Sequence, residues 1–390
     1  MKSTKLTLII LLCLTSSKLM SQWDTELKTG LHTGYEWNIF LNPPTVIDGD
    51  QVLRRADLWQ NAFYEEGFIS ANMKRKTANG RWKLGTYFSA ANYHSRVDAN
   101  RHALRFDLSY RTKYAAKKYF EIAPQLYRIK RQGINDQDAV LTTPFSYMKF
   151  TLPVKFDFYL GDRKWLKTTG GYFYKAFDRF NNRNIAYHAV FLEAKYSKKW
   201  LNAGNETKLT YTGRSEFRFY KIQRLNGEVV DPEEPIDPED PDAEANGLSD
   251  RRWTYLSNDL EYSIKPAHDK YSLNLGLYTT IRLDGEEENS YFELAPGIEG
   301  TMNFTGWQLS GRLQYVNRNY PDREVGDEDM PLVYQYVRGS VKATVPIKKR
   351  TDFFVRANMV NRASSNNELT RGFREYFNSV VETGIVIRLK

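Results

Sequence analysis

Charged side chains recur at every second position along many segments of this sequence, a spacing that could bind or guide ions. The positively charged members are Arg105, Arg111, Lys149, Lys155, Lys167, Arg214, Arg218, Arg282, Arg312, Arg338, Lys342, Arg356 and Arg388. The acids at equivalent positions are Asp107, Asp157, Glu193, Glu216, Asp259, Glu261, Glu293, Glu299 and Glu382. Alternate residues of an extended strand point to the same face, so both signs would share one polar surface. Charges on such a surface can attract solutes or pair with each other across strands.

The histidines offer little for catalysis or metal binding. His94 precedes Ser95, which places a base beside a hydroxyl, and His94 and His102 flank Asp98. Neither arrangement carries the surrounding residues of a hydrolytic or metal site, and loop histidines near acids are more often simply solvent-exposed. The sequence also has no Gly-rich phosphate loop, zinc-ligand spacing or nucleophile elbow. We therefore predict no enzyme activity, no catalytic residues, no metal and no cofactor.

The elements that would position the charged side chains are β-strands. Apolar and polar residues alternate over 150–158, 271–283 and 381–389, the pattern of a strand with two different faces. An apolar helical period does not persist for three turns anywhere in the sequence. Most of the alternating segments exceed ten residues, the approximate length that a tilted strand needs to cross a bilayer. About sixteen segments are predicted, at 24–42, 62–75, 81–93, 101–114, 118–131, 143–159, 164–179, 186–200, 206–223, 251–266, 270–283, 290–302, 306–319, 332–347, 351–363 and 376–390.

The connections between these segments alternate between short turns and longer loops. The short turns are predicted near 77–80, 115–118, 161–164, 202–205, 267–270, 303–306 and 348–350. The longer loops are predicted at 43–61, 94–100, 132–142, 180–185, 224–250, 284–289, 320–331 and 364–375. Aromatic residues lie close to every short turn: Trp82, Tyr114, Tyr119, Trp165, Trp200, Tyr271, Phe304, Trp307 and Phe353. Tyr and Trp are favoured where a lipid-facing surface meets water, so the turns would share one membrane interface.

Over nearly all of 22–390, this architecture resembles the porin-like barrels of Gram-negative outer membranes. The resemblance implies an all-β fold: a closed, transmembrane, antiparallel up-and-down β-barrel of about 16 strands, within a range of about 14–18. It implies location in the cell outer membrane, in contact with lipid and lipopolysaccharide. The composition agrees, because mean hydropathy is −0.61 although 14% of the residues are aromatic. Half of each barrel strand faces water inside, while the other half faces lipid.

Two segments are predicted to lie outside the barrel wall. Residues 1–21 have a basic start and an apolar run of about ten residues, which indicates a secretory signal peptide followed by a mature domain, 22–390. Cys13, the only cysteine, lies within that signal, so no disulfide is expected. Residues 224–250 are acidic and carry proline at every third position from Pro232 to Pro241. This spacing favours an extended, solvated extracellular loop.

The leading functional hypothesis is a passive, water-filled pore for small polar solutes. The net charge of +9 suggests a preference for anions if the lumen is open. The alternative to an anion preference is that much of this charge lies at loops and turns, where it pairs with anionic lipid head groups. The alternative is a structural or accessory barrel of a secretion, export or insertion complex, with a lumen closed by paired charges and other outer-membrane proteins as partners. Basic residues alternate across strands instead of forming one patch, which argues against nucleic-acid binding.

Overall fold

The alternating segments form the strands of one closed sheet in the computed structural model. The structure describes residues 23–48, 51–131, 146–178, 183–224, 252–268, 270–285, 290–325, 330–365 and 375–389. Its strands are β1 (Asp24–Trp37), β2 (Thr45–Asp48), β3 (Gln51–Arg54), β4 (Ala62–Lys76), β5 (Gly80–Tyr93), β6 (Arg101–Ala115), β7 (Lys118–Ile122), β8 (Gln125–Arg131), β9 (Tyr147–Gly161), β10 (Lys164–Phe177), β11 (Arg183–Asn202), β12 (Asn205–Arg224), β13 (Arg252–Lys265), β14 (Tyr271–Asp284), β15 (Tyr291–Phe304), β16 (Trp307–Val325), β17 (Met330–Lys348), β18 (Thr351–Ser364) and β19 (Tyr376–Arg388).

Each barrel strand pairs antiparallel with its neighbours in the sequence. The sheet closes where β1 pairs with both β4 and β19, with Lys28 opposite Arg388 and Trp37 opposite Ser379. Closure leaves no unpaired sheet edge, which matters inside a bilayer because exposed backbone groups there lack water to bind. The short β7 and β8 are two halves of one barrel strand, since both pair with β6 and β9. The described residues therefore form a barrel of sixteen strands, as predicted.

The segment predicted as one strand over 118–131 is interrupted at Ala123 and Pro124. Proline has no N–H to donate to a sheet ladder, so it is confined to breaks and edges. The neighbouring strands bridge the interruption, because the Leu108 N–H donates to the Pro124 carbonyl and the Ala123 N–H donates to the Pro153 carbonyl. The polar backbone groups beside the break thus remain satisfied.

Tight turns gather at one end of the barrel, called here the turn end, and the longer connections lie at the opposite loop end. Several turns use left-handed backbone conformations, as in the β11–β12 turn, where Ala203 and Gly204 both have positive φ. Two-residue hairpins favour such conformations because they match the twist of the flanking strands. Short turns at one end and longer loops at the other are a feature of outer-membrane barrels.

The loop predicted at 43–61 contains regular structure that the sequence pattern did not indicate. Strands β2 and β3 pair as a small hairpin, and the short helix α1 (Arg55–Leu58) follows directly. The Trp59 ring stacks on Phe377 with ring centres 6.1 Å apart, which fastens the loop to the top of β19. The connection predicted at 320–331 also differs, because β16 extends to Val325 and β17 begins at Met330.

The outward face of the barrel carries a belt of exposed apolar side chains. Its members come from strands all around the sheet: Leu31, Ile69, Phe88, Phe106, Phe150, Leu192, Phe217, Leu260, Leu277, Ile298, Leu313, Val341, Val355 and Ile385. Such an extensive apolar exterior marks a surface that meets lipid. Trp82, Tyr114, Trp200, Tyr271, Phe304 and Trp307 are exposed beside the turns.

Two of the aromatic residues predicted for this interface face the lumen. Trp165 lies opposite Tyr159, with ring centres 4.9 Å apart, and the Arg111 guanidinium lies 4.4 Å from the centre of the Tyr119 ring. Their place in the alternation puts them on the inner face, which closeness to a turn alone did not reveal.

Some predictions concern residues that the structure does not describe, among them the loop predicted at 132–142. The signal peptide over 1–21 and nearly all of the acidic loop over 224–250 lie outside the described residues. No helix in the described portion is both long and apolar enough to cross a membrane.

Candidate functional site: the barrel lumen

The cations predicted to share a polar surface lie on the lumen side of the strands. Register places Arg105, Arg111, Lys149, Lys155, Arg214, Arg218, Arg282, Arg312, Arg338, Arg356 and Arg388 on this face, together with Lys167, Lys342 and the predicted acids. The apolar belt occupies the alternate positions. The barrel thus has a charged interior and an apolar exterior.

Many lumen charges pair with acids on the same strand or on a strand close by. Arg111 Nη2 lies 2.6 Å from Asp157 Oδ2, and Lys155 Nζ lies 3.2 Å from Glu121 Oε1. Arg214 and Arg218 each lie 2.6 Å from Glu216. Further pairs are Arg105–Asp107, Arg318–Glu293, Arg356–Glu382 and Arg388–Asp352. All of these contacts run along the wall, and none of them bridges the diameter of the barrel.

One part of the wall, formed by β18, β19, β1, β4, β5 and β6, is densely packed; we call it the packed wall. The Tyr64 hydroxyl donates to Glu382 Oε2 at 2.6 Å, and the Tyr93 hydroxyl donates to Glu36 Oε2 at 2.5 Å. Both rings and both carboxylates are buried. The network continues through Glu66, which Arg101 contacts at 3.0 Å and His32 at 3.5 Å.

Apolar side chains from the loop end complete the packed wall. Ile39, at the start of the first long loop, is buried against Tyr64 and Tyr93 together with Ala99 from the next loop. The Asn38 side-chain amide donates to the backbone carbonyls of Asn42 and Phe377. The first loop is therefore anchored inside the mouth of the barrel, over the packed wall.

Another part of the lumen, from β12 to β17, is lined by arginines stacked on aromatic rings; we call it the open wall. Arg218 lies 4.1 Å from the Tyr255 ring centre, and Arg318 lies 4.6 Å from that of Tyr291. Arg282 lies 4.4 Å from Trp253 and 4.5 Å from Tyr291. A guanidinium that stacks over a ring face gains cation–π attraction, and its N–H groups can still donate hydrogen bonds in the plane of the guanidinium.

Two cavities line the open wall and join end to end. One, of about 420 Å³, is bordered by Arg214, Tyr255 and Arg318, and the other, of about 480 Å³, by Glu261, Arg312 and Arg338. Asp259, Tyr278 and Glu293 border both. These volumes lie within the range of small-molecule binding pockets, about 300–1,000 Å³.

Charged residues in the middle of the lumen are accessible to solvent although they point away from lipid. The Arg105 side chain is 51% exposed even while it contacts Asp107. On the open wall, Arg312, Arg338 and Glu299 are also exposed. An inward-facing side chain can be exposed only where the space in front of it is empty, so water reaches the interior.

The sixteen-strand closure, the apolar belt and the hydrated charged lumen together decide the class of protein. In architecture this is a porin-like outer-membrane β-barrel. Barrels of sixteen to eighteen strands generally enclose an aqueous channel, and their lumen-facing residues tune selectivity.

The residues considered for catalysis or metal binding lie apart from the porin-like lumen. His94 Nε2 is 3.7 Å from Glu65 Oε1, and both side chains are more than half exposed. Asp98 is engaged by Arg96 through two hydrogen bonds, while His102 lies exposed on the outer face of β6. Among the residues that the structure describes, no group of three or more His, Cys, Asp or Glu is arranged to hold a metal ion.

Comparison with known proteins gives no closer assignment. No protein-family model matches the chain, and no curated protein matches its sequence. The chain is similar to the solved structure of OccAB1 from Acinetobacter baumannii, with 12% identity, a TM-score of 0.46 and coverage of 94% of this chain and 97% of that one. It is also similar to the outer membrane channel DcaP of the same species, with 13% identity, a TM-score of 0.46 and coverage of 95% and 98%. OprD from Pseudomonas aeruginosa is similar at 9% identity and a TM-score of 0.42, covering 94% and 96%.

Sequence reasoning missed most of the packed wall. Glu36, Tyr64, Glu66, Tyr93 and Arg101 did not stand out as lumen residues. Strand β1 carries threonines at outward positions, since Thr29 and Thr33 alternate with the inward His32 and Glu36. This weakens the contrast between its two faces, so the alternation gave no clear signal there.

Proposed function

We propose that this barrel is a passive pore through which small polar solutes diffuse across the outer membrane. The observation that carries the proposal is the exposure of Arg105, Arg312, Arg338 and Glu299 inside the lumen. Charged side chains that line hydrated space can exchange their contacts with water for contacts with a solute, and no energy source is needed for diffusion.

Within that function, we propose a preference for anions. Lys149 and Lys175 face the lumen from β9 and β10, where they lie over the rings of Phe173 and Tyr147 at 4.1 and 3.9 Å. Neither lysine forms an ion pair with a described residue, and the same holds for Lys167 and Lys195 nearby. Cations without an ion-pair partner give this part of the lumen a positive field, which raises the local concentration of anions.

The alternative of a lumen closed by paired charges gains no support from the ion pairs. Arg214–Glu193 and Arg318–Glu293 join adjacent strands, and Arg111–Asp157 joins strands that are two apart. Such pairs hold side chains against the wall, and none of them crosses the centre of the lumen.

Single-channel recording tests the pore. Purified, folded protein in a planar bilayer should give discrete conductance steps. Under a KCl gradient, the reversal potential should be displaced from zero towards the equilibrium potential of chloride. The double variant Lys149→Gln, Lys175→Gln should move that potential towards zero. A matched control, Lys349→Gln in the β17–β18 turn, should leave it unchanged.

Two results would count against the proposal. Absence of conductance from correctly folded protein would remove the pore. Conductance with a reversal potential displaced towards the equilibrium potential of potassium would retain the pore and remove the anion preference.

A further inference from the structure

The 480 Å³ cavity of the open wall has opposite charges at its two sides. Asp259 and Glu261 come from β13, whereas Arg312 and Arg338 come from β16 and β17. Asp259, Glu261, Arg312 and Arg338 form no ion pair with any residue that the structure describes, and the Arg338 guanidinium lies 5.0 Å from the centre of the Tyr336 ring. Glu299 of β15 also borders the cavity and lies across from Arg312, so the cavity has an acidic side at β13 and a side of mixed charge where two arginines face one acid.

The strip of wall between the two sides carries two inward glycines and the side chain of Gln314. Register links Glu261 to Gly276, Gly276 to Gly297, Gly297 to Gln314 and Gln314 to Arg338 across five successive strands. A Cβ added at Gly276 would meet nothing within 4 Å. Two glycines at inward positions of adjacent strands leave a floor of backbone on which a ligand can lie.

The width of this floor favours a ligand whose charges are well separated. Neighbouring strands lie about 4.8 Å apart, so four strand spacings separate the backbones of Glu261 and Arg338 by about 19 Å along the wall. The charged groups of Glu261 and Arg338 lie at the ends of their side chains, so side chains extended over the floor bring these groups closer together than their backbones. An extended tripeptide spans about 10 Å between its termini, whereas the ammonium and carboxylate of a single amino acid share one carbon atom.

Polar groups beside the floor match a peptide backbone. Asn274 and Gln314 border the cavity and carry both donors and acceptors, as amide side chains do. Glu299 lies directly across from Arg312 in the β15–β16 register, and it forms no ion pair with a described residue. Arginine can bind a carboxylate through two parallel hydrogen bonds, and carboxylates accept hydrogen bonds from an ammonium group.

We propose that this cavity is a binding site for short zwitterionic peptides of about three residues. The peptide ammonium group would bind Asp259 and Glu261, its carboxylate would bind Arg338 and Arg312, and its backbone would lie over Gly276 and Gly297. The inference rests on the proposed pore function, since the peptide must enter an open lumen.

Blockade of the ion current by peptide tests the site. Trialanine added to a conducting channel should reduce the current in a saturable way. Trialanine acetylated at its N-terminus, trialanine amidated at its C-terminus and the peptide capped at both ends should each require at least tenfold higher concentration. Free alanine should also block at least tenfold more weakly, because its charges are adjacent.

Variants assign the two ends of the ligand. Glu261→Gln should weaken block by trialanine at least fivefold and leave block by the N-acetylated peptide unchanged. Arg338→Gln should also weaken block by trialanine at least fivefold, but it should leave block by the C-amidated peptide unchanged. Gly276→Leu should fill the floor and abolish saturable block by every peptide. Matched controls are Glu206→Gln and Arg163→Gln at the turn end. Peptides should block these variants as strongly as they block the wild type.

The possible failures are distinguishable. A channel that conducts but is blocked equally by free and capped peptides overturns the binding site and leaves the pore intact. Block by free alanine at the same concentration as trialanine overturns the assignment to peptides. Folded protein without conductance, judged by its β-sheet circular dichroism, overturns the pore and this inference with it.

Discussion

The packed wall and the open wall of the lumen contain the same residue types and use them differently. In the packed wall, carboxylates such as Glu36 and Glu382 are buried and receive hydrogen bonds from tyrosines. In the open wall, Glu299, Arg312 and Arg338 are exposed, although Glu216 and Glu293 are buried against arginines. The first arrangement joins parts of the protein to each other, whereas the second also leaves charged groups directed at water.

Glycines at inward positions show why the two walls differ. A Cβ added at Gly384 would lie 2.4 Å from the Cβ of His32, and one added at Gly34 would lie 2.8 Å from the ring of Tyr64. A Cβ at Gly276 in the open wall would contact nothing within 4 Å. In one wall, glycine makes room for a neighbouring side chain; in the other, it leaves a gap. Residue type alone therefore does not reveal which role a lumen glycine has.

The largest expected effect comes from filling the two kinds of glycine position. Gly384→Leu should lower the free energy of unfolding by about 3 kcal/mol, because overpacking forces the backbone and His32 apart. Urea-induced unfolding of protein refolded into lipid vesicles, followed by tryptophan fluorescence, measures the change. Gly276→Leu is the matched control and should change stability by less than about 1 kcal/mol. Equal losses from both variants would contradict the distinction between the walls.

A smaller effect is expected from removing one carboxylate from each wall. Glu382→Ala leaves the Tyr64 hydroxyl and Arg356 without their shared acceptor. Breaking a fully buried pair costs about 3–5 kcal/mol, but the Arg356 side chain is 42% exposed, so we expect a loss of about 2 kcal/mol. Glu299→Ala should cost less than about 0.5 kcal/mol. The same unfolding assay measures both, and a costly Glu299→Ala would show that the open wall is also structural.

The sequence predicted the architecture well because a barrel strand repeats one simple pattern. Alternation placed Phe150, Leu152 and Phe156 outside and Lys149 and Lys155 inside. It could also place the turns, since each lies where alternation stops. It could not place Trp165 and Tyr119, because nearness to a turn does not determine which face a residue occupies.

The contacts between lumen residues could not be predicted for a different reason. Tyr64 and Glu382 are separated by 318 positions in the sequence, and they meet only because β1 lies between β4 and β19 in the closed sheet. Asp259 and Arg338 border one cavity because the pairing registers of four successive strand pairs, from β13 to β17, bring them to the same height in the barrel. Such relations depend on sheet closure and register, which no local pattern records.

The smallest expected difference concerns tyrosine hydroxyls in the two walls. Tyr93→Phe removes the donor to the buried Glu36, which keeps a hydrogen bond from Asn378 at 3.1 Å. Leaving a buried carboxylate with one partner fewer should cost about 1 kcal/mol. The Tyr278 hydroxyl donates to Ser257 at 3.3 Å beside the cavities, where water can replace it, so Tyr278→Phe should cost less than about 0.5 kcal/mol. If Tyr278→Phe proves the more costly variant, water does not reach the open wall as freely as the pore requires.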